Sequence, residues 1–440
     1  MKKNYLAEFI KYVTLNVCGM VGLSCYILAD TFFISKGLGS DGLTALNLAI
    51  PIYSFIHGIG LMFGMGGATK YSIFMGQKHK KEANEVFNNT LRVALTIACV
   101  FSVIGVLFSK GIAGILGAEG SILSMTDIYL KTILLFSPAF ILNEVLLSFV
   151  RNDGNPGLAM AAMLTGSISN IILDYIFIFP FQWGMLGAVI ATSMAPLISM
   201  VVLSMHKIKG KQQFFLKKIR FSSKMILDVS KLGIPSLITE VAAGIVMIIF
   251  NMLILGIEGD IGVAAYGVIA NLALVFSAIY TGIAQGVQPL ISDGYGKNEI
   301  KQIKIMYRYA FITLSIVSIV IYVLCVVFAE PITSIFNSEK NNLLQEIAVE
   351  GMKLYFMAVP FIGFNIVTSV FFAAIERAVP AQSISLLRGI ILMVPMAYLL
   401  AAMGGMTGIW LTVPVTEALV SLLGMILLMK WWKRSKLIKI

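Results

Sequence analysis

Apolar runs long enough to cross a membrane recur along this chain from end to end, and they restrict its fold more than any other feature. A membrane-spanning helix needs about 20 mainly apolar residues. None of the runs alternates apolar and polar residues as a barrel strand does, and lipid admits only helices or closed barrels. The sequence therefore predicts an all-α integral membrane protein with twelve transmembrane helices. The runs lie near 10–35, 44–69, 90–112, 128–150, 158–180, 185–205, 226–255, 263–291, 308–329, 351–375, 381–402 and 408–430.

The composition excludes a water-soluble enzyme. Apolar residues (AVILMFWYC) make up 58% of the chain and charged residues 12%, whereas soluble domains average about 25% charged residues. A soluble domain of this size could not bury so much apolar surface. The three histidines and four cysteines show no metal-ligand spacing, which argues against a metalloenzyme. No nucleotide-binding loop of the GxxxxGK[ST] type occurs, and we expect no cofactor.

The basic residues predict the topology. The net charge is +11, and most of the 33 Lys and Arg residues fall on one set of loops. Loops rich in Lys and Arg face the cytoplasm, so we expect both termini there, in agreement with an even number of spans. Topology explains the charge, and we expect no nucleic-acid binding. The basic loops contain Lys2, Lys3, Lys11, Lys70, Lys78, Lys80, Lys81, Arg92, Arg151, Lys297, Lys301, Lys304, Arg308, Arg377 and the stretches 207–231 and 430–439, while Lys36, Lys110, Lys131, Lys340 and Lys353 lie on the opposite side.

The chain reads as a duplication. Residues about 220 positions apart match in several separate helices, and such near-constant offsets are the signature of an internal repeat. The matched pairs are Ala45 with Ala265, Gly66 with Gly286, Gly76 with Gly296, Lys81 with Lys301, Pro138 with Pro360, Asn143 with Asn365, Gly184 with Gly405 and Gly187 with Gly408. We predict two six-helix bundles in the same orientation, an N-lobe (1–206) and a C-lobe (225–440), joined by a basic cytoplasmic linker (207–224). Parallel repeats of this kind are typical of transporters that rock two bundles around a central site.

Five acidic residues lie inside the predicted spans. They are Asp30, Glu144, Asp174, Glu240 and Glu417. A charged side chain at the bilayer centre costs about 2.5–3.5 kcal/mol on insertion scales, and such residues usually mark ion or proton pathways.

Two of these acids predict a cation or proton site in the N-lobe. Asn170 lies four residues before Asp174, so both side chains share one helix face. Thr192 on the next helix adds a hydroxyl, and Asp30 on the first helix adds a second carboxylate. This oxygen-rich set suits a proton or a small hard cation such as sodium, and the same groups serve either ion. The alternatives are a hydrogen-bonded core acid for Asp174 and interhelical packing bonds for Asn170 and Thr192.

Other polar residues predict a substrate cavity between the lobes. Glu240 follows Pro235 by five residues, and a proline frees backbone carbonyls that can line a cavity together with Glu240 and Gln285. Asn143, beside Glu144, is a further candidate, although pore and packing roles for this pair remain open. The alternative for Glu240 is an acid kept in contact with water near the cytoplasmic end. Glu417 and Arg388 are expected to form a structural ion pair.

Several segments resemble one transporter family. Asp30-Thr-Phe-Phe-Ile-Ser, with the following Gly39, Gly42-Leu-Thr-Ala-Leu and Pro51, is similar to the helix 1–2 signature of the multidrug and toxic compound extrusion (MATE) family. Arg151-Asn-Asp-Gly-Asn-Pro-Gly resembles the DinF-like and MepA-like bacterial branches of that family. The matches continue through Asn170-Ile-Ile-Leu-Asp, Gly184-Met-Leu-Gly-Ala, Gly286-Val-Gln-Pro-Leu and Gly294-Tyr-Gly, and they cover essentially the whole chain.

The resemblance implies an exporter of lipophilic, often cationic compounds, driven by entry of protons or sodium. It also implies an N-lobe cation site on Asp30, Asn170, Asp174 and Thr192, the residues that the intramembrane polar groups indicate independently. We therefore expect a monomeric antiporter of the plasma membrane, in contact with lipids. The alternative is a lipid-linked or polysaccharide flippase of the same wider superfamily. A lipid-modifying membrane enzyme is disfavoured because the histidines form no cluster in the sequence.

Overall fold

The computed structural model describes residues 4–337 and 341–437, and all regular structure in these ranges is helical. The predicted all-α fold is therefore confirmed for the described part of the chain. Lys2, Lys3, Lys340 and Lys439, which entered the charge argument, lie outside it. The helices are α1 (Tyr5–Gly76), α2 (Lys80–Ile115), α3 (Gly120–Leu135), α4 (Ser137–Asn152), α5 (Pro156–Ile178), α6 (Gly184–Ile208), α7 (Ser223–Gly296), α8 (Ile300–Val327), α9 (Ala329–Phe336), α10 (Asn342–Tyr355), α11 (Val359–Ala374), α12 (Ala378–Leu386) and α13 (Met393–Leu437).

Three of these helices are interrupted in their interior by a glycine with positive φ. Gly39 in α1 has φ 68° and ψ −158°, Gly259 in α7 has φ 62° and ψ −154°, and Gly405 in α13 has φ 55° and ψ −130°. A residue with a Cβ adopts such angles only at an energetic cost, so glycine is the natural choice at these breaks. Gly39 and Gly259 are 220 positions apart in the chain and share nearly the same backbone angles.

The chain reverses direction at Gly39 and at Gly259. Tyr26 and Tyr53, at nearly equal distances from Gly39, are joined by a hydrogen bond of 2.9 Å between their hydroxyl groups. The rings of Phe250 and Tyr266, on the two sides of Gly259, lie 5.6 Å apart. α1 and α7 are thus helical hairpins, each with two arms that lie side by side. At 72 residues, α1 would span roughly 110 Å if it were straight, far more than a bilayer is thick.

Prolines mark two further junctions between helices. α3 and α4 meet at an angle of 48°, with Pro138 at the start of α4. In the second half a 3-10 turn, Phe356–Ala358, separates α10 from α11, and Pro360 stands at the start of α11. Proline fits the first turn of a helix because its missing N–H has no partner there.

Many of the helices suit a membrane. Among the described residues, eight helical segments are long and apolar enough to cross one, and nine are if the bent α3–α4 pair counts as a span. α2 and α8 direct large apolar side chains away from the protein, a pattern that suits contact with lipid. Exposed examples are Val103, Leu107 and Phe108 on α2 and Ile316, Ile319 and Val323 on α8.

The buried residues form two hydrophobic cores. One contains residues from Ile34 to Phe214 together with Val229 at the start of α7. The other contains residues from Phe250 to Leu428 together with Phe9 and Val13 at the start of α1. Each half of the chain therefore builds its own core, and the first arm of each hairpin also packs against the opposite half.

The segment between α6 and α7 is held against the first half of the chain by hydrogen bonds and ring packing. The backbone N–H groups of Gln213 and Lys217 donate to side-chain oxygens of Asp153 and Asn88, at 2.8 and 2.9 Å. Phe214 is buried against Phe87, with ring centroids 4.4 Å apart. We call the end of the bundle that carries this segment the linker end, and the opposite end the distal end.

The two halves meet most closely at the linker end. A Cβ on Gly233 would lie 1.8 Å from the carbonyl oxygen of Met62, and a Cβ on Gly296 would lie 2.3 Å from that of Ile73. Neither position leaves room for a side chain. Small residues allow helix backbones to approach closely in membrane proteins, so these glycines set the distance between the halves.

We expect Gly233→Val to force the halves apart and to destabilise the protein by about 1–3 kcal/mol, the usual cost of overpacking. Thermal unfolding in detergent measures the effect. Gly244→Val on the same arm of α7 is the matched control, because no atom lies within 4 Å of its added Cβ. Equal unfolding midpoints for the two variants would contradict the close approach.

Candidate cation site and central cavity

The structure brings two buried carboxyl groups into contact. Asp30 on the first arm of α1 is 6% exposed and Asp174 on α5 is fully buried. Their side chains lie within hydrogen-bond reach of each other. One oxygen of each, Oδ1, has no hydrogen-bond partner among the described residues. Two bare carboxylates repel each other, so this arrangement calls for a proton or a cation between them.

Asn170 and Thr192 complete the group. When the Asn170 amide is oriented to satisfy both neighbours, its nitrogen donates to Asp174 Oδ2 at 3.1 Å and its oxygen accepts from the Thr192 N–H at 3.2 Å. The Thr192 hydroxyl donates to the carbonyl of Ala188 at 3.1 Å. All four residues that the sequence singled out for the N-lobe site therefore lie together.

Tyrosines surround this carboxyl pair. Tyr129 on α3 lies close enough to Thr192 and Asp30 to interact with both. Tyr26, one helical turn before Asp30, bonds to Tyr53. The four-residue spacing of Tyr26 and Asp30 was a signal in the sequence. Tyr129 had no such signal, because only the packing of α3 against α6 brings it to the site.

A second cluster of titratable side chains lies next to these tyrosines. The ring of His57 stacks on Tyr53, with centroids 6.0 Å apart and planes within 10°. His57 and Glu144 both lie close enough to Glu240 for electrostatic interaction. Glu240 itself stands on the first arm of α7, in the second half of the chain. Polar side chains thus extend from the carboxyl pair to the boundary between the halves.

A cavity of about 50 Å³ lies at this boundary. It holds water-sized molecules only, whereas drug-sized ligands occupy clefts of roughly 300–1,000 Å³. Glu240 and Gln285, both predicted for a substrate cavity, line it. Asn143, the third predicted residue, is buried in α4 and is not part of the lining. The wall comprises Leu61, Met65, Pro235, Ser236, Thr239, Glu240, Thr281, Ala284, Gln285, Ile366, Ser369, Val370, Ser385 and Arg388.

An ion pair stands at the edge of this cavity. Arg388 donates to Glu417 Oε1 from Nη2 at 2.7 Å and from Nε at 3.1 Å. Asn365 donates to the other carboxylate oxygen at 2.7 Å. The pair that the sequence suggested is therefore present. Arg388 belongs to a short π-helical segment, Leu387–Ile391, and such segments often occur at functional sites.

Arg388→Met should lower stability by about 1–3 kcal/mol, because it removes a charged partner from a carboxylate that is only 3% exposed. The double variant Arg388→Met with Glu417→Gln should recover part of this loss, since no charge is then left buried. Thermal unfolding of the purified variants measures both effects. If the double variant is as unstable as the sum of the two single variants, the two residues do not act as a pair.

The comparisons with known proteins agree on one family. The MatE family model matches residues 17–176 and 235–399, more than half of the chain. The Multidrug export protein MepA of Staphylococcus aureus (strain MRSA252) is 24% identical over 404 residues, which cover 91% of this chain and 88% of that protein. Its counterpart in Staphylococcus saprophyticus is 24% identical over 409 residues, with the same coverage.

Solved structures share the fold. An outward-facing multidrug resistance MATE family transporter of the MOP superfamily has a TM-score of 0.91 and 20% identity, and the match covers 98% of this chain and 96% of that one. A MOP superfamily transporter from Pyrococcus furiosus, described as having a binding pocket of reverse polarity, matches with the same score, identity and coverage. The relatives are named for transport and not for catalysis. This chain belongs to the MatE family of membrane transporters, the family that its sequence motifs resemble.

Proposed function

We propose that this protein is a cation-coupled antiporter that exports lipophilic, often cationic compounds by alternating access. The observation that carries the proposal is the contact between the buried Asp30 and Asp174, each with an unpartnered oxygen. Buried acids inside membrane helices usually mark ion or proton pathways. The MepA relatives, named as multidrug exporters, support small molecules as the substrates.

The proposed topology has twelve spans in two parallel six-helix bundles. If the arms on either side of Gly39, Gly259 and Gly405 each count as a span, and α3–α4, α10–α11 and α12 with the first arm of α13 each form one, every half has six. The N-lobe then comprises 1–206, the linker 207–224 and the C-lobe 225–440. The basic linker end faces the cytoplasm of a plasma-membrane protein, as the excess of Lys and Arg requires. A monomer surrounded by lipid satisfies this arrangement.

The coupling ion, a proton or sodium, binds between Asp30 and Asp174, with Asn170 and Thr192 as supporting groups. Because Asp30 lies on the first arm of α1 and Asp174 on α5, a cation that bridges them changes how this arm packs in the N-lobe. Export then requires that the ion and the substrate prefer different conformations, since a ligand shifts an equilibrium only by its differential affinity. The ion thereby lowers the affinity for substrate on the outer side.

The substrate binds where the small cavity lies, beside Glu240 and Gln285, with Asn143 on α4 as a further proposed contact. Three glutamates at or near this boundary, Glu240, Glu144 and Glu417, outnumber the two arginines there, Arg388 and Arg151. The excess of negative charge favours a cationic ligand. A cavity of about 50 Å³ admits a drug-sized molecule only after the lobes move apart.

Ethidium accumulation in cells tests the proposal. A host that expresses the protein should accumulate less ethidium than one with an empty vector, and ionophores that collapse the proton and sodium gradients should remove the difference. Equal accumulation with and without the protein would contradict an exporter. If the protein instead moved a fluorescent lipid-linked sugar between leaflets, the flippase alternative would replace it.

A further inference from the structure

Arg151 is a buried cation that neither proposed site uses. It stands near the end of α4 and is 3% exposed. Its guanidinium Nη1 donates to Asn16 Oδ1 at 2.5 Å and to Gln285 Oε1 at 2.8 Å. Asn16 in turn donates to the carbonyl of Gly282 at 3.0 Å. One side chain thereby connects α4, the first arm of α1 and the second arm of α7.

The partners of Arg151 are all uncharged. None of the ion pairs among the described residues includes it, and its Nε has no hydrogen-bond partner there. Glu144, two helical turns earlier on α4, interacts electrostatically with the guanidinium without a direct contact. Burial of a charge without a direct counter-charge is costly. An apolar side chain would seal the interface more firmly, so a guanidinium here indicates a contact that opens again.

Arg151 lies directly below the central cavity. Gln285 and Met65 line the cavity, and both contact the guanidinium, Met65 through its Sδ at 3.5 Å from Nη2. Further toward the linker end, Gln288 donates to Thr69 at 2.9 Å and accepts from Asn152 at 3.1 Å. Lys70 and Glu376, both partly exposed, form a salt bridge between the two halves of the chain. The guanidinium is therefore the innermost of a series of polar contacts that close the linker end.

We propose that Arg151 is a positioning residue for transport, a latch that holds the lobes together beneath the cavity. The latch rests on the proposed alternating-access function. In the closed state the guanidinium spans the interface through Gln285 and Asn16. When the linker end opens, these bonds break, and water that enters the gap solvates the exposed charge.

The latch also connects to the cation site. Asn16 and Asp30 stand on the same arm of α1, fourteen residues or roughly 21 Å apart. A helix transmits a displacement along its axis, so a shift of this arm at Asp30 moves Asn16 against both Arg151 and Gly282. Cation binding in the N-lobe thereby loosens or tightens the closure of the linker end.

Pulsed electron paramagnetic resonance tests the latch. Spin labels are placed at Lys81→Cys and Lys301→Cys, exposed positions at the starts of α2 and α8, in a chain whose four native cysteines are replaced. Arg151→Gln should shift the ratio of long to short label distances toward the open linker end by roughly tenfold, the effect expected from the loss of a hydrogen bond to a charged group. Arg151→Lys should restore part of the short population. Lys218→Gln, which removes an exposed charge from the linker, should leave the distances unchanged.

Distances in Arg151→Gln equal to those of the parent would overturn the proposal. If this variant fails to fold, Gln285→Leu removes the opposite end of the same bond and is assessed by the same criterion. The distance measurement needs no transport, so a wild-type protein without ethidium efflux would count against the proposed function and leave the latch testable. If Arg151 is a latch, Arg151→Gln should also lower the maximal rate of efflux more than the apparent affinity for substrate. Loss of a contact to the substrate would do the reverse.

Discussion

Asp174→Asn should slow coupled ethidium efflux by roughly 5- to 150-fold, the range that coupling free energies between two ligands usually span. The variant keeps the shape of the side chain and removes the charge that a proton or sodium must meet. Asp30 then faces an amide and can bond to it without any cation. The conformation of the lobes is therefore no longer coupled to binding of the ion. Efflux from cells, measured as the loss of ethidium fluorescence, gives the rate.

Asp30→Asn should have an effect of the same size, because either change breaks the same carboxyl pair. Asp260→Asn is the matched control, since this acid is exposed and stands just after the Gly259 turn. Unchanged efflux in both site variants would show that the N-lobe pair is a structural contact and that the ion binds elsewhere.

Glu240→Gln should raise the half-saturating concentration of a permanently charged substrate such as ethidium by roughly tenfold, which corresponds to about 1.4 kcal/mol. Glu240 lines the cavity from the C-lobe side, and its loss removes an attraction that operates in a poorly hydrated site. An uncharged lipophilic substrate should respond much less, because it gains nothing from the carboxylate. Concentration series of efflux rates for the two substrates measure the difference.

Glu258→Gln, an exposed acid beside the Gly259 turn, serves as the control for the loss of one negative charge. Equal losses of affinity for the charged and the neutral substrate would contradict a role of Glu240 in charge recognition. They would instead indicate that the variant disturbs the shape of the cavity.

Residues of the candidate cation site were predictable from the sequence because each stands out locally. Asp30 and Asp174 are charged residues in apolar runs, and Asn170 lies one turn before Asp174 on the same face. Tyr129 could not be predicted in the same way, since tyrosine is common in membrane helices and its place depends on how α3 meets α6. The sequence pattern identifies polar residues, whereas tertiary packing decides which of them meet.

The extent of the helices was harder to predict. The apolar runs near 10–35 and 44–69 leave an apparent loop between them, but the chain stays helical up to Gly39 and resumes directly after it. Polar residues near the ends of a span are compatible with helix, so hydropathy marks the apolar portion and not the ends. The position of a reversal depends on a backbone conformation that Gly39 permits, and the sequence alone does not distinguish it from other glycines.

Arg151 shows a further limit of reasoning from the sequence. A basic residue at the end of an apolar run reads as a topology signal, and the charge pattern placed it among the cytoplasmic loops. The structure buries it against Asn16 and Gln285 instead. The difference arises because the end of α4 is covered by the opposite half of the chain, which no local pattern reveals.

Transport in proteoliposomes under separately imposed proton and sodium gradients tests the central claim most directly. The purified protein is reconstituted with ethidium, and efflux is followed for the wild type and for the double variant Asp30→Asn with Asp174→Asn. We expect one of the two gradients to drive ethidium against its own concentration gradient in the wild type, and neither to do so in the double variant. Absence of wild-type transport under both gradients, or equal transport by the double variant, would contradict a cation-coupled antiporter that works through this carboxyl pair.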